Sequence, residues 1–279
     1  MSRKDRHSKL RSVEADIAKV QEIEQTPQTE SPAYTLAFRD DKFMRRDDMR
    51  PVRLQLELLK PETILNEAGI LSTVVLFGGA RLPEPGAEPW SFKNETQREN
   101  LRKNSKYYAE ARAFAERASR EALRHDGKEY VVVTGGGPGV MEAGNRGATD
   151  AGAPSIGLNI VLRQEPVPNA YITPELCFNF HYFAIRKMHF LMRAKAIAVF
   201  PGGFGTMDEL FETLTLIQTE RMEPLPILLF GKDFWQRIIN FEALADEGTI
   251  SPDDLDLFHF VETADEGWKI IADAYDLKA

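Results

Sequence analysis

Short apolar runs that end in glycine, each followed by a helical stretch, are the feature that most restricts how this chain can fold. Thr73–Phe77 (TVVLF) runs into Gly78–Gly79, Tyr130–Thr134 (YVVVT) into Gly135–Gly137, and Ala196–Phe200 (AIAVF) into Pro201-Gly202-Gly203. Runs this short and this rich in β-branched residues read as strands of a parallel sheet, apolar throughout because both faces are covered. The rhythm continues with strands expected at Ser155–Ile160, Phe178–Phe180, Pro226–Phe230 and Phe258–Val261. Helices are expected at residues 95–124, Val140–Ala151, Phe183–Arg193, Met207–Glu220, Phe234–Ala245 and Glu266–Asp276. Strands alternating with helices build βαβ units, so the expected fold is α/β: a Rossmann-like, doubly wound parallel sheet flanked by helices.

Residues 1–50 break this rhythm. Charges of both signs alternate, Pro27 and Pro32 interrupt, and apolar residues are sparse. This part reads as a flexible charged arm with a short helix near Val13–Ile23, while Tyr34, Leu36 and Phe38 alternate as a short strand would. From Pro51 a helical stripe (Leu54, Leu58, Leu65) opens the expected catalytic domain, residues 51–279.

Composition narrows the function. No stretch approaches the roughly 20 apolar residues of a membrane span, and the charged opening MSRKDRHSKL lacks the apolar centre of a signal peptide. Cys177 is the single cysteine, which excludes an intrachain disulfide and a four-cysteine zinc site. A cytoplasmic location fits, with no membrane partner. The formal charge of −8 argues against a nucleic-acid partner, because phosphate backbones are held by positive surfaces. A single anionic ligand needs only a local group of donors.

Two of the glycine turns point to such a ligand. In TGGGPGVMEA (Thr134–Ala143) and PGGFGTMDE (Pro201–Glu209) a strand meets glycines and a helix follows. Glycine lets a ligand approach the backbone, and the first amides of a helix favour an anion. Thr206 offers a helix cap or a hydroxyl for a phosphate. Asp208 and Glu209 offer carboxylates to a ligand or to the helix dipole. Neither turn has the Gly-Lys-Ser/Thr ending of the Walker loop or a clean dinucleotide fingerprint, so a mononucleotide fits better. Arg186 and Lys187, adjacent cations near a helix start, lie between the turns in sequence.

Taken together, TGGGPGVMEA, Arg186-Lys187 and PGGFGTMDE resemble the LONELY GUY family over about residues 70–250. The resemblance implies a Rossmann-like hydrolase that cleaves a nucleoside 5′-monophosphate, such as AMP or a cytokinin riboside monophosphate, into free base and ribose 5-phosphate. It implies no cofactor and no metal, and assembly as a homodimer or higher homo-oligomer. Its catalytic arginine falls on Arg186 and its catalytic glutamate on Glu209. Its substrate contacts fall on Gly135, Gly136, Gly137, Gly139, Glu142, Lys187, Gly202, Gly203, Gly205, Thr206, Asp208 and Thr215. One departure stands out. Family members commonly carry a serine after the first strand, where this chain has Phe77-Gly78-Gly79-Ala80-Arg81 and no hydroxyl to offer.

The main competing reading is a non-catalytic nucleotide or molybdenum-cofactor binding protein of the same fold; retention of both Arg186 and Glu209 favours an enzyme. Amino-acid decarboxylation, a label often given to this family, needs pyridoxal phosphate and a Schiff-base lysine, and no lysine here sits in a recognisable cofactor motif. His125, His181 and His189 read as structural. Phe183, Phe190 and Met192 offer apolar surface for self-association or for the chain's own core.

Overall fold

The structure is a computed structural model that describes residues 11–162 and 167–277; the first ten residues of the expected arm lie outside the described residues. Packing divides the chain into two units, Met1–Gln55 and Leu56–Ala279. In the first, Ser12 caps α1 (Val13–Gln21) and Asp40 caps α2 (Asp41–Met44). The strand expected around Tyr34–Phe38 is absent. Pro32, with its fixed φ, starts a 3-10 turn at Pro32–Tyr34, and a second follows at Ala37–Arg39. None of these four elements buries a residue. Helix α3 (Arg50–Glu67) runs across the division and buries Pro61 and Leu65.

The second unit holds a seven-stranded sheet in which every neighbouring pair is parallel. Its strands are β1 (Thr73–Phe77), β2 (Val131–Thr134), β3 (Ser155–Ile160), β4 (Cys177–Phe180), β5 (Ala194–Val199), β6 (Ile227–Phe230) and β7 (His259–Val261), in the order β4-β3-β2-β1-β5-β6-β7. This is a Rossmann-like α/β fold. The order reverses between β1 and β5, the place where such sheets open a crevice beyond their carboxyl ends.

The helices between strands are α4 (Glu95–Asn104), α5 (Lys106–Arg124), α6 (Val140–Ala151), α7 (Phe183–Leu191), α8 (Phe204–Gln218), α9 (Lys232–Ile238), α10 (Phe241–Asp246) and α11 (Ala264–Ala274). Period-2 alternation sends Val74, Leu76, Val132, Ala198 and Leu228 into one core with Phe114 and Ile271. Val75, Phe77, Val133, Ile197 and Leu229 join the other, with Phe190, Leu210 and Trp235. Each large side chain so buried contributes roughly 1.5–3 kcal/mol before entropy is subtracted.

Two expected helices are each divided. Residues 95–124 break at Ser105, whose Oγ donates to the Arg102 carbonyl (2.7 Å). Residues 234–245 break where Ile239 turns extended and Asn240 caps α10 by accepting from the Ala243 amide (3.1 Å). Helix α8 starts at Phe204, three residues ahead of the expected Met207.

Candidate active site

A cavity of about 310 Å³ opens at the β1/β5 reversal. The end of β1 supplies Leu76 to Ala80, the first glycine turn supplies Gly135 and Met141, and α7 supplies Phe183, Arg186 and Phe190. The second turn and α8 supply Gly203, Gly205, Thr206, Asp208 and Glu209, and Leu162 completes the wall.

Arg186 is held from below by two strand ends. Its Nε donates to the Leu158 carbonyl (2.7 Å), its Nη2 to the Gly135 carbonyl (3.5 Å), and its guanidinium lies 5.2 Å from the Phe190 ring centre. Phe190 in turn packs edge-on against Phe77 at 4.9 Å. A β-carbon on Gly135 would sit 2.6 Å from Nη2 and 2.8 Å from the Met141 sulfur, so a larger residue here would push the guanidinium or the sulfur aside.

Glu209 faces the same cavity from α8. It is 7% exposed, and among the described residues its Oε2 is buried without a hydrogen-bond partner. Burial pushes its carboxyl up to about 7; Lys187 and Arg186 pull it down, while Glu212 and Asp208 push it further up. Because α8 begins at Phe204, Asp208 and Glu209 lie in its second turn, where the helix dipole gives little. The dipole explanation for these acids therefore loses its basis. Thr206 does not cap α8 either: Gly203 is the cap residue, and the threonine lines the cavity from the first turn.

The other expected contacts divide. Lys187 bridges Asp208 (2.9 Å) and Glu212 (2.8 Å), tying α7 to α8, and does not line the cavity. Burial pulls its ammonium down, but those two partners outweigh it and hold it above the ordinary lysine value. Thr215 is exposed, its hydroxyl donating to the Phe211 carbonyl (2.7 Å) away from the cavity. Glu142 accepts from the Tyr108 hydroxyl (2.8 Å). Gly136, Gly137, Gly139 and Gly202 stand outside the lining.

The first glycine turn is in fact occupied by the chain itself. Asn169 donates its amide to the Gly136 carbonyl (2.9 Å) and its Nδ2 to the carbonyl of Gly137 (3.1 Å) and to Asn145 Oδ1 (3.0 Å). The Thr134 hydroxyl donates to Asn145 (2.7 Å) and accepts from the Gly136 amide (3.0 Å). Gly139, at φ +67°, lies so close to the Gly79 and Ala80 carbonyls that no β-carbon fits. Sequence reading missed the loop Gly78–Ala80 as a lining segment, although its strand-then-glycine pattern is the same signal seen in the other two turns. It missed the aromatic wall of Phe77, and it took Phe190 and Phe183 alike as surface or core, whereas Phe190 is 1% exposed and Phe183 53%.

Residues 141–271 match the family model described as possible lysine decarboxylase. The matched segment covers just under half of the chain. It contains Arg186 and Glu209, and the first glycine turn lies just ahead of it. No curated protein matches the sequence significantly. A molybdenum cofactor binding protein from the phototrophic bacterium Rippkaea orientalis is 16% identical, covering 73% of this chain and 97% of its own at a TM-score of 0.46. The structural-genomics target TM1055 is 20% identical, covering 72% and 99% at 0.44. The molybdenum cofactor carrier protein of Chlamydomonas reinhardtii is 16% identical, covering 74% and 97% at 0.40. No described helix is long and apolar enough to cross a membrane.

Proposed function

We propose that this chain is a LONELY GUY-type enzyme that hydrolyses the N-glycosidic bond of a nucleoside 5′-monophosphate, releasing free base and ribose 5-phosphate. The observation that carries this reading is Glu209: a buried carboxylate oxygen without a partner among the described residues, in a cavity it shares with Arg186. A folded protein tolerates such an oxygen where it has chemistry to perform. Cleaving the bond builds positive charge on the ribose, which an ionised Glu209 stabilises while it orients water. Arg186 keeps its proton and acts by fixing substrate oxygens. The opening amides of α8, at Gly203–Thr206, receive the 5′-phosphate. Phe77, Met141 and Phe183 offer apolar surface to the base.

Lysine decarboxylation is not supported by the side chains present. No lysine is among the described lining residues, and Lys187 carries a raised pKa where a Schiff-base amine needs a lowered one.

Incubation with AMP and chromatography for adenine tests the reading directly. Adenine release is expected from AMP, with adenosine cleaved at least about a hundredfold more slowly for want of the phosphate–helix contact. AMP that binds and stays intact would point instead to a carrier. We further propose self-association through the exposed Phe183 and Met188 of α7 and Met192 just after it. Light scattering should then give at least twice the chain mass of 31.6 kDa, and a monomer at micromolar concentration would refute it.

A further inference from the structure

Helix α7 is nine residues long, too short to persist without external support, and it carries Arg186. Its N-cap residue, Tyr182, makes no side-chain cap. The cap comes instead from Glu57 on α3: Oε1 accepts from the His181 amide (2.8 Å) and Oε2 from the Tyr182 amide (3.0 Å). A carboxylate there also meets the positive end of the helix dipole. The carbonyl of the same Glu57 accepts from Nε2 of His189 (3.2 Å), near the far end of α7. Just beyond α7, Glu62 takes Arg193 through two bonds of 2.7 and 2.8 Å.

We infer that Glu57 is a positioning residue for Arg186, setting where α7 holds that guanidinium beneath the cavity. The Arg186 amide donates to the Tyr182 carbonyl (3.2 Å), so moving the capped residue moves the arginine one turn on. The space available is narrow, since the guanidinium reaches the Leu158 and Gly135 carbonyls beside Gly135, where an added methyl would meet its Nη2 at 2.6 Å. Displacements of the order of 1 Å at such a group are costly in catalysis. Glu57 lies outside the segment matched by the family model, and it gave no signal as a site residue in the sequence. The effect on turnover rests on the proposed hydrolase reading; the placement of Arg186 does not.

The test uses the full chain carrying Glu57→Ala or Glu57→Gln. Hydrogen exchange is followed on peptides of α7 and β5, and phenylglyoxal labelling of Arg186 by mass spectrometry. Exchange in α7 and labelling of Arg186 should both rise roughly tenfold in Glu57→Ala, the scale of a lost cap, with Glu57→Gln between it and the parent and β5 unchanged. If AMP is hydrolysed, kcat should fall with the same ranking. Unchanged α7 exchange and Arg186 labelling in the variants would overturn the inference, as would equal acceleration in β5, which marks general loosening. If Glu57→Ala does not fold, Glu57→Gln decides by the same criteria. A parent chain that releases no adenine refutes the hydrolase reading alone, because exchange and labelling still judge Glu57.

Discussion

The two glycine turns look alike in sequence and play different parts in the structure. After β2, the turn is filled by the chain's own Asn169 and Asn145, and the acid that follows, Glu142, is bonded to Tyr108. After β5, the turn faces the cavity, and the acid that follows, Glu209, keeps a buried oxygen without a partner among the described residues. A glycine turn at a strand end is therefore only permission for a ligand to approach. What decides its role is whether the protein has already satisfied the polar groups that the turn presents.

The comparison breaks most sharply at the two acids. Glu209→Gln is nearly isosteric but removes the charge, and it should lower kcat for base release by roughly a thousandfold while AMP binding and fold persist. Glu142→Gln keeps an acceptor for the Tyr108 hydroxyl and should change kcat less than about threefold, the cost of one weakened, part-buried bond outside the cavity lining. Steady-state kinetics on both variants with circular dichroism as the folding check decides this. Near-normal turnover in Glu209→Gln would remove it from the mechanism, and a large loss in Glu142→Gln would make the first turn catalytic after all.

A second difference is in pH response, and its sign follows from burial. Glu209 has a folded pKa of about 7 against an ordinary 4.5. Below the lower value the carboxyl is protonated in both states and costs nothing. Between the two, the unfolded chain releases its proton while the folded chain holds it, so stability falls as pH rises through this window, by roughly 3 kcal/mol in all. Glu209→Gln should therefore melt above the parent at pH 8 and level with it near pH 4.5. Turnover should run the opposite way, with kcat at saturating AMP rising about tenfold per pH unit up to about 7 and then levelling, since the ionised form does the work. Parallel melting curves across this range would mean that Glu209 titrates normally.

Much of the fold was legible because β1, β2, β5 and β6 are apolar runs cut off by glycine, and the remaining strands fall into the same alternation with helices. The break at Ser105 was not, since good helix formers continue on both sides of it and the interruption is made by one local hydroxyl–carbonyl bond. Arg186 and Glu209, which line one cavity, were singled out in the sequence through the resemblance rather than through any periodicity. Asn169 was hidden because the turn it fills lies 32 residues away from it in sequence. Lys187 was read as a ligand contact from its charge alone, because sequence does not show that Asp208 and Glu212 on α8 pair with it.

The smallest expected effects come from the glycines themselves, and they separate the turns cleanly. Gly136 has φ +75°, and a β-carbon there would overlap the Asn159 side chain, so Gly136→Ala should strain the backbone and disturb a packed neighbour. The cost is about 1–3 kcal/mol, which in a unit of this size lowers Tm by roughly 3–10 °C. The folded fraction should keep its KM for AMP, because Gly136 lies outside the cavity lining. Gly203 is the reverse case. Its φ of −98° suits alanine, and nothing lies within 4 Å of the added carbon, so Gly203→Ala should melt like the parent. The new methyl nevertheless stands at the first amides of α8, where the phosphate is proposed to sit, and KM should rise about three- to tenfold through a lengthened anion contact. Differential scanning calorimetry and Michaelis constants for the two variants measure both halves of this exchange. If Gly136→Ala raises KM while Gly203→Ala leaves it alone, the phosphate belongs to the turn after β2 and the assignment of the two turns must be reversed.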